Sequence, residues 1–553
     1  MNFFESQDAA KRSTKKLIVL FLLAVISLIV VTNILVMAVF AFAQTGSTSM
    51  AAVSEFNFDP DLFLLVGAFV SSVIVFGSLY KIAQLSGGGA RVAEMMNGRL
   101  LVGATDDVNE RRVLNVVEEM AIAAGVPVPP VYLMDEDGIN AFAAGYSPSD
   151  AVIGVTRGTI ETLTREQLQG VIGHEFSHIL HGDMRINIRL IGILHGIMVL
   201  GIIGYYLMRS SGRTRRSKDS GAIVMLGLGL VVVGFVGTFF GNLIKAAVSR
   251  QREFLADASA VQFTRNPDGI AGALMQIGRH SSHSYLENPK STEISHALFE
   301  EGMRSSMSKL YATHPPLEKR IAAILPSWDG SYELIDRASR RPQPPEPSAQ
   351  EKAAAQRARA EGLLTGVSGV LLADAMINQV GNPGEKHLDR ADELLQQMPR
   401  SLHEAAQDPS GSRALVYLLV LDQNSQVRSE QLQFLQNSAD KGVFDELQRL
   451  SKANAQIDAE LRLPLVTIAL SSLRQLSKSQ YALFKQNFNK VIALDKKINL
   501  FEWALQKILF HHLESVFAKN GMRIGKRDIK RHADEASVLL SILAHSNPQQ
   551  DIS

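Results

Sequence analysis

The stretch VIGHEFSHILHGD (residues 171–183) decides what the middle of this chain folds into and what chemistry it carries. It contains His-Glu-x-x-His within apolar residues at helical spacing. Positions four apart project from the same side of a helix, so His174 and His178 can bind one zinc ion. Glu175 then lies beside the metal, where its carboxylate can take a proton from the water that attacks a peptide carbonyl.

A third ligand is expected downstream, where Glu253-Phe-Leu-Ala-Asp257 places two carboxylates four residues apart. Two His and one Glu, with a fourth position left open, form a known catalytic zinc set, whereas a structural site is closed by four protein ligands. Asp257 is suitably placed to hold a ligand imidazole by its other N–H. His181 lies on nearly the same face as His174 and is the alternative third ligand. We prefer Glu253, because a ligand from a separate helix fixes tetrahedral geometry better.

These stretches resemble the HtpX-type membrane zinc metalloproteases, relatives of the CAAX prenyl proteases. The resemblance covers residues 15–326 and implies a gluzincin-type protease domain among transmembrane helices, with Glu253 as third ligand. It also implies one zinc ion per chain, a role in the stress response, and damaged or misassembled membrane proteins as substrates. The motifs that carry it are His174-Glu-Phe-Ser-His178 with Gly182-Asp183, Glu253-Phe-Leu-Ala-Asp257-Ala, Thr313-His314-Pro-Pro-Leu-Glu-Lys-Arg320 and Asn140-Ala-Phe-Ala143.

Three residues of these motifs are candidate contacts for the substrate or for the oxyanion. His314 precedes two prolines in a fixed turn, and Arg320 follows on a helical face. An imidazole and a guanidinium held there can bind a substrate carbonyl, a carboxylate or the tetrahedral oxyanion. The alternative is that the two side chains only cap and pair within the domain. Asn140 is included on the resemblance alone.

The composition limits the possible partners and metal ligands. The chain has 553 residues, with 56 basic and 55 acidic side chains, so its balanced charge suggests no nucleic-acid partner. It has no cysteine, which excludes disulfides and thiolate metal ligands. We expect no cofactor other than zinc.

Apolar, charge-free segments predict an integral membrane protein with four spans. A run of about 20 apolar residues crosses a bilayer. The first segment is too long for a cleaved signal peptide, so we interpret it as a retained anchor. The predicted spans are 17–43, 62–80, 190–208 and 222–244.

Flanking charges predict the orientation in the plasma (inner) membrane. Lys11, Arg12, Lys15 and Lys16 precede the first span, while the loop 44–61 contains no Lys or Arg. The positive-inside rule therefore places the N-terminus, the catalytic domain and the C-terminal domain in the cytoplasm. The basic loop after residue 208 should also prefer the cytoplasm, which conflicts with this orientation. Either the first hairpin dominates the topology, or the second hairpin does not cross the membrane fully.

The parts between the spans predict a small α+β domain close to the bilayer. A helix is expected over Asn109–Ala124, and strands over 130–134, 140–144 and 151–156 that can pair as a sheet. An exposed sheet edge beside the metal commonly receives the substrate as an added strand. Both ligand helices are expected to continue into membrane spans, which would present substrates at the bilayer interface.

Residues 340–349 form a Pro-rich linker, and residues 350–553 are predicted to be a helical module. Its residues 455–545 faintly resemble TerB-like modules of tellurite-resistance proteins. No catalytic constellation was found in it, so we interpret it as an adaptor or regulatory module that binds a partner protein.

The sequence therefore predicts a mainly α, multi-span membrane protein with an α+β zinc-protease core and an all-α C-terminal domain. The expected domains are an N-terminal transmembrane hairpin (1–85), a protease domain interrupted by a second hairpin (86–339), the linker and the C-terminal module. The expected function is a zinc endopeptidase of membrane-protein quality control. Two alternatives stay open: an idle membrane scaffold that recruits partners through the C-terminal module, and a CAAX-type prenyl-protein protease.

Overall fold

The computed structural model describes most of the chain, and the described residues are mainly helical, as predicted. The predicted linker 340–349 lies outside the described residues. The sequence pattern also predicts helices over 350–377 and 292–312, and these lie outside the described residues as well, apart from 298–300 and 312. The described residues are 3–45, 59–85, 88–103, 105–211, 220–280, 284, 286, 298–300, 312–332, 383–454, 457–494 and 499–517.

Four helices are long and apolar enough to cross a membrane, and they contain the four predicted segments. Many of their large apolar side chains are exposed to the surroundings, which is expected for helix faces that contact lipid. The helices are α1 (Phe3–Thr45), α2 (Pro60–Leu85), α7 (Asp183–Ser211) and α8 (Ser220–Thr264).

Glycines bring the backbones of α7 and α8 close together within the second hairpin. A Cβ atom built on Gly234 would lie 2.6 Å from the Cα atom of Gly201. A Cβ atom on Gly204 would lie 2.5 Å from the carbonyl oxygen of Gly227. Small residues at these crossings are what allows membrane helices to pack at short distance.

Outside the four long helices, the described residues from Gly89 to Ile324 form a four-stranded sheet and short helices. The strand order is β1-β2-β4-β3, in which β2 and β4 are parallel and the two outer pairs are antiparallel. The three predicted strands therefore pair as a sheet, and β3 is one of its edges. The elements are α3 (Gly89–Met95), β1 (Arg99–Leu100), α4 (Val108–Ala124), β2 (Val131–Met134), β3 (Ala141–Ala144), β4 (Val152–Thr156), α5 (Arg157–Thr162), α6 (Arg165–His181), α9 (Pro267–Arg279) and α10 (Leu317–Ile324).

Of the two helices predicted to continue into membrane spans, only α8 does so. It runs without interruption for 45 residues, from the apolar segment through Glu253 to Thr264. The helix α6 instead ends at Gly182, which has the left-handed backbone angles φ 69° and ψ 35°. Because a side chain is disfavoured in that conformation, glycine permits the chain to turn there and begin α7 at Asp183.

The chain forms two compact units, Met1–Val117 with Pro129–Tyr332, and Glu118–Val128 with Glu333–Ser553. The described part of the second unit is helical, as predicted for the C-terminal module. Its core includes Leu415, Leu447, Leu465 and Phe488, all fully buried. Its helices are α11 (Glu385–Gln397), α12 (Arg400–Ala406), α13 (Pro409–Leu419), α14 (Ser425–Ser438), α15 (Lys441–Ala453), α16 (Ala459–Leu473), α17 (Lys478–Val491) and α18 (Leu500–Phe517).

The packing of α6 against α9 gives a first prediction. A Cβ atom on Gly170 would lie 2.6 Å from the backbone nitrogen of Ile270, so Gly170→Leu must push the two helices apart. Overpacking of this kind costs about 1–3 kcal/mol. We expect a lower Tm for the detergent-purified variant than for Arg165→Leu, whose side chain is exposed on the same helix. An equal Tm for the two variants would show that the contact does not constrain α6.

Candidate metal centre

The helix α6 presents His174 and His178 from one face. It begins with a capping box, in which the Thr164 hydroxyl accepts a hydrogen bond from the backbone N–H of Gln167 and the Gln167 side chain accepts one from the backbone N–H of Thr164. Fully buried apolar residues such as Leu168 hold the helix against the domain. The ring nitrogens Nε2 of the two histidines lie 3.1 Å apart.

The carboxylate of Glu253 on α8 lies opposite these two nitrogens. Its Oε2 is 3.4 Å from His174 Nε2, and its Oε1 is 3.5 Å from His178 Nε2. Potential ligand atoms of these three residues all lie within 4.8 Å of one another, so the group is positioned to bind a metal ion. His181 is not part of this group, since its Nδ1 lies 2.9 Å from the carbonyl oxygen of Ser177.

The chemistry of the donor atoms fits a divalent cation. Each histidine directs Nδ1 at a carboxylate, Asp257 for His174 and Asp183 for His178, at 2.9 and 2.8 Å. If both Nδ1 atoms carry hydrogen in neutral rings, two Nε2 lone pairs face each other, which is unfavourable without a cation between them. Metal-ligating histidines are commonly held in this way by their second nitrogen.

The electrostatics of the two rings also favour positive charge between them. Burial disfavours the imidazolium of His174, but Asp257 and Glu253 outweigh it and raise the pKa of His174 to about 9. Burial dominates at His178 and lowers its pKa to about 4. A proton on His174 therefore occupies the space that a metal ion would share with Glu253.

Asp257 lies one turn after Glu253 on α8 and is also held by Arg320, which contacts the same Oδ1 atom that faces His174. The guanidinium donates from Nε to Oδ2 at 2.9 Å and from Nη2 to Oδ1 at 2.7 Å. Two parallel hydrogen bonds of this kind fix the carboxylate in orientation as well as in position. The ring of His174 is thereby fixed through Asp257.

The remaining contacts of Arg320 also go to the protein. Its Nη1 donates to the carbonyl oxygen of Phe299 at 2.7 Å and to the carboxylate of Glu300 at 3.0 Å, and the side chain is fully buried. These contacts favour a supporting role for Arg320. The predicted contact between Arg320 and a substrate remains a prediction.

Asn140 is buried at the start of β3, where it holds the segment 298–300. Its amide donates to the carbonyl oxygens of Ser284 and Glu300, and its oxygen accepts from the backbone N–H of Phe299 at 3.0 Å. Phe299 also donates to the carbonyl oxygen of Ala141 at 2.7 Å. The outer side of β3, one of the two sheet edges, is thus paired at this point with residues of the chain itself. The addition of a substrate strand at a sheet edge remains a prediction.

His314 lies next to the metal-binding group, with its Nδ1 3.1 Å from the Oε2 atom of Glu253. Burial disfavours the imidazolium, but the charge of Glu253 outweighs it and raises the pKa of His314 above its ordinary value. A protonated ring in this position can donate a hydrogen bond to a developing negative charge.

Glu175 follows His174 in the sequence, and its side chain is fully buried. Among the residues that the structure describes, no hydrogen-bond donor reaches either of its carboxylate oxygens. Burial raises the pKa of this carboxyl group above its ordinary value. A buried carboxylate without such a donor is costly to keep, which marks it as a functional candidate.

Sequence reasoning missed a second arginine and the role of Asp183. Arg252, the residue before Glu253, contacts the carboxylate of Asp183, whose other oxygen faces His178. The sequence signal that could have indicated this contact was Gly182. A helix that ends at a glycine can turn back, so that Asp183 lies against the last turn of α6, where His178 is.

Comparison with known proteins identifies the family to which the chain is similar. The chain matches the model of peptidase family M48 over residues 107–327. It is 38% identical over 221 residues to a protease HtpX homolog of Dictyoglomus turgidum, covering 38% of this chain and 67% of the relative. It is 33% identical over 270 residues to one of Streptococcus uberis, covering 47% and 88%. A homolog of Thermoanaerobacter pseudethanolicus is 40% identical over 216 residues, covering 38% and 70%. No solved structure matches the chain.

The choice between Glu253 and His181 as third ligand can be measured. We expect Glu253→Ala to lose most of the zinc that the purified protein carries, because it removes one of the three converging donors. His181→Ala should retain about one equivalent, since its ring is directed at Ser177. Metal analysis of both variants decides, and loss of zinc from His181→Ala alone would move the third ligand to that residue.

Proposed function

This chain belongs to peptidase family M48 as an HtpX-type membrane protease, and from that premise we propose which of its residues cut the substrate and where in the cell they do so. The chain is a membrane zinc endopeptidase acting on protein or peptide substrates. The comparisons give no better support to an idle scaffold or to a prenyl-protein protease. One observation carries the proposal for the site. Two imidazole nitrogens and a carboxylate converge beside a buried glutamate that no hydrogen-bond donor reaches among the described residues.

His174, His178 and Glu253 are proposed to hold the zinc ion. Bound there, zinc would act as a Lewis acid that polarises the scissile carbonyl and makes water a better nucleophile. The three residues come from two helices, α6 and α8, so the packing of these helices sets the spacing of the donors.

Glu175 is proposed to be the general base. Its carboxylate takes a proton from the water whose oxygen attacks the carbonyl carbon, and it then gives that proton to the leaving amine nitrogen as the C–N bond breaks. A raised pKa suits both steps, since the group must accept and release one proton near neutral pH.

His314 is proposed to stabilise the oxyanion, and Asp257 with Arg320 to position His174. The raised pKa of His314 favours the protonated ring, which donates to the negative oxygen of the tetrahedral intermediate. Asn140 is proposed to act indirectly, because its hydrogen bonds hold the segment that also accepts from Arg320.

We further propose that the substrates are membrane proteins cut on the cytoplasmic side of the inner membrane. His178 lies five residues before the helix α7, and Glu253 lies on α8, both of which can span a bilayer. Glu253 is nine residues after Ile244, the end of the predicted apolar segment, on the uninterrupted helix α8. At about 1.5 Å per helical residue, the zinc site would therefore lie ~10–15 Å from the membrane surface. The basic residues before the first span support the cytoplasmic side, according to the positive-inside rule.

The C-terminal helices are proposed to bind a partner protein. The family match ends at residue 327, before this module begins, so the protease activity is assigned to residues outside it. The resemblance of residues 455–545 to TerB-like modules remains a prediction.

The role of Glu175 is tested by Glu175→Gln. We expect cleavage of an unfolded casein-like substrate by detergent-purified protein to fall roughly 10²–10⁴-fold, because the amide cannot accept the proton. Zinc content should be unchanged. The control is Glu166→Gln, an exposed glutamate on the same helix, which should cleave normally. Near-normal proteolysis by purified Glu175→Gln would refute the mechanism.

The orientation is tested by single cysteines in this cysteine-free chain. We expect cysteines at Ser49 and Ser211 to react with a membrane-impermeant thiol reagent in intact cells, with the outer membrane permeabilised where one is present. Cysteines at Ser86 and Ser348 should react only after lysis, because the positive-inside rule keeps them in the cytoplasm. Labelling at Ser49 without Ser211 would reject the second full crossing, and labelling at Ser348 in intact cells would invert the topology.

A further inference from the structure

The two proposed histidine ligands are each held by a carboxylate that is itself paired with an arginine, and the two arrangements differ in origin. His174 is held by Asp257 and Arg320, from α8 and α10. His178 is held by Asp183 and Arg252, from α7 and α8. The second arrangement is therefore built entirely from the two helices of the second membrane hairpin.

At His178, the ring, Asp183 and Arg252 form a buried chain of contacts. Asp183 is 3% exposed and Arg252 is 8% exposed, so the ion pair is largely shielded from water. One carboxylate oxygen lies 2.8 Å from His178 Nδ1, and the other contacts the guanidinium. Arg252 directly precedes Glu253, so α8 supplies a proposed metal ligand and, one residue earlier, the arginine that holds Asp183 against His178. Asp183 and Arg252 together form a clamp on His178.

We propose that Asp183 and Arg252 are positioning residues for zinc, and that the second membrane hairpin assembles the His178 half of the site. The proposal rests on the proposed ligand set. Asp183 is the first residue of α7, and Gly182 turns the chain so that it faces His178. The clamp forms only when α7 and α8 lie side by side, which their glycine crossings at Gly201 and Gly234 permit.

The consequence is a dependence of zinc binding on the packing of the membrane helices. A chain whose hairpin has not yet assembled lacks the clamp on His178 and binds zinc weakly. Such a chain would be a poor protease until the hairpin has assembled.

The first experiment measures the zinc dissociation constant of detergent-purified full-length protein by competition with a chromophoric chelator. We expect Asp183→Asn and Arg252→Gln to weaken zinc binding roughly 10–100-fold, the usual effect of losing a group that orients a ligand. Arg252→Lys should recover most of the affinity, because it keeps a cation beside Asp183. The double variant Asp183→Asn/Arg252→Gln should stay weak, although it leaves no unpaired buried charge.

The matched control is Arg413→Gln, which breaks another ion pair of a buried arginine, with Asp440, in the second unit. It should lower the Tm but leave the zinc dissociation constant unchanged. If Arg252→Gln lowers only the Tm, or if the double variant regains normal zinc affinity, the pair is structural and the proposal is wrong. If the unaltered protein itself binds no zinc, the proposed ligand set fails first.

The second experiment tests the hairpin at a distance from the site. Gly234 is 18 residues before Arg252 on α8, roughly 27 Å away at 1.5 Å per residue. Gly234→Leu must separate the α7 and α8 backbones and should weaken zinc binding, whereas Phe235→Leu, at a side chain 73% exposed, should not. Equal zinc affinity of the two variants would overturn the dependence on the hairpin.

Discussion

The constraint on which the site depends is the burial of several negative charges in one place. Five buried carboxylates lie at or beside the metal-binding group among the residues that the structure describes: Glu175, Asp183, Glu253, Asp257 and Glu300. Two buried guanidiniums, Arg252 and Arg320, pair with them. If every carboxyl group is ionised, three negative charges remain, and a divalent cation with a protonated His314 would balance them.

This balance implies that a charged group near the site cannot be removed singly without a large cost in stability. A buried charge that loses its partner costs several kcal/mol, so each arginine must stay opposite its carboxylate. Glu175 is the exception, because no protein donor reaches it within the described chain. Glu175, the proposed general base, is thus without a hydrogen bond among the described residues, whereas Asp183, Asp257 and Glu253 each contact at least two partners.

The helix α8 links the membrane to this arrangement. It runs for 45 residues, and it carries Glu253, Asp257 and Arg252 after an apolar segment that can cross a bilayer. Because α8 is continuous from the apolar segment to Asp257, a shift of its membrane part would also move the groups at its other end. The supports of the two histidines differ in this respect. Arg320 comes from a short helix outside the spans, whereas Asp183 begins a span itself.

The sequence by itself determined what depends on near neighbours. The i and i+4 spacing put His174 and His178 on one helix face, the Thr164–Gln167 pair marked the helix start, and apolar run lengths located the four spans. Only the tertiary structure decided which distant residues meet them. It directed His181 away from the group, turned Arg320 onto Asp257, and brought Arg252 to Asp183 across the hairpin. These contacts join residues 63–69 positions apart or depend on the angle at which helices cross, and no local periodicity encodes either.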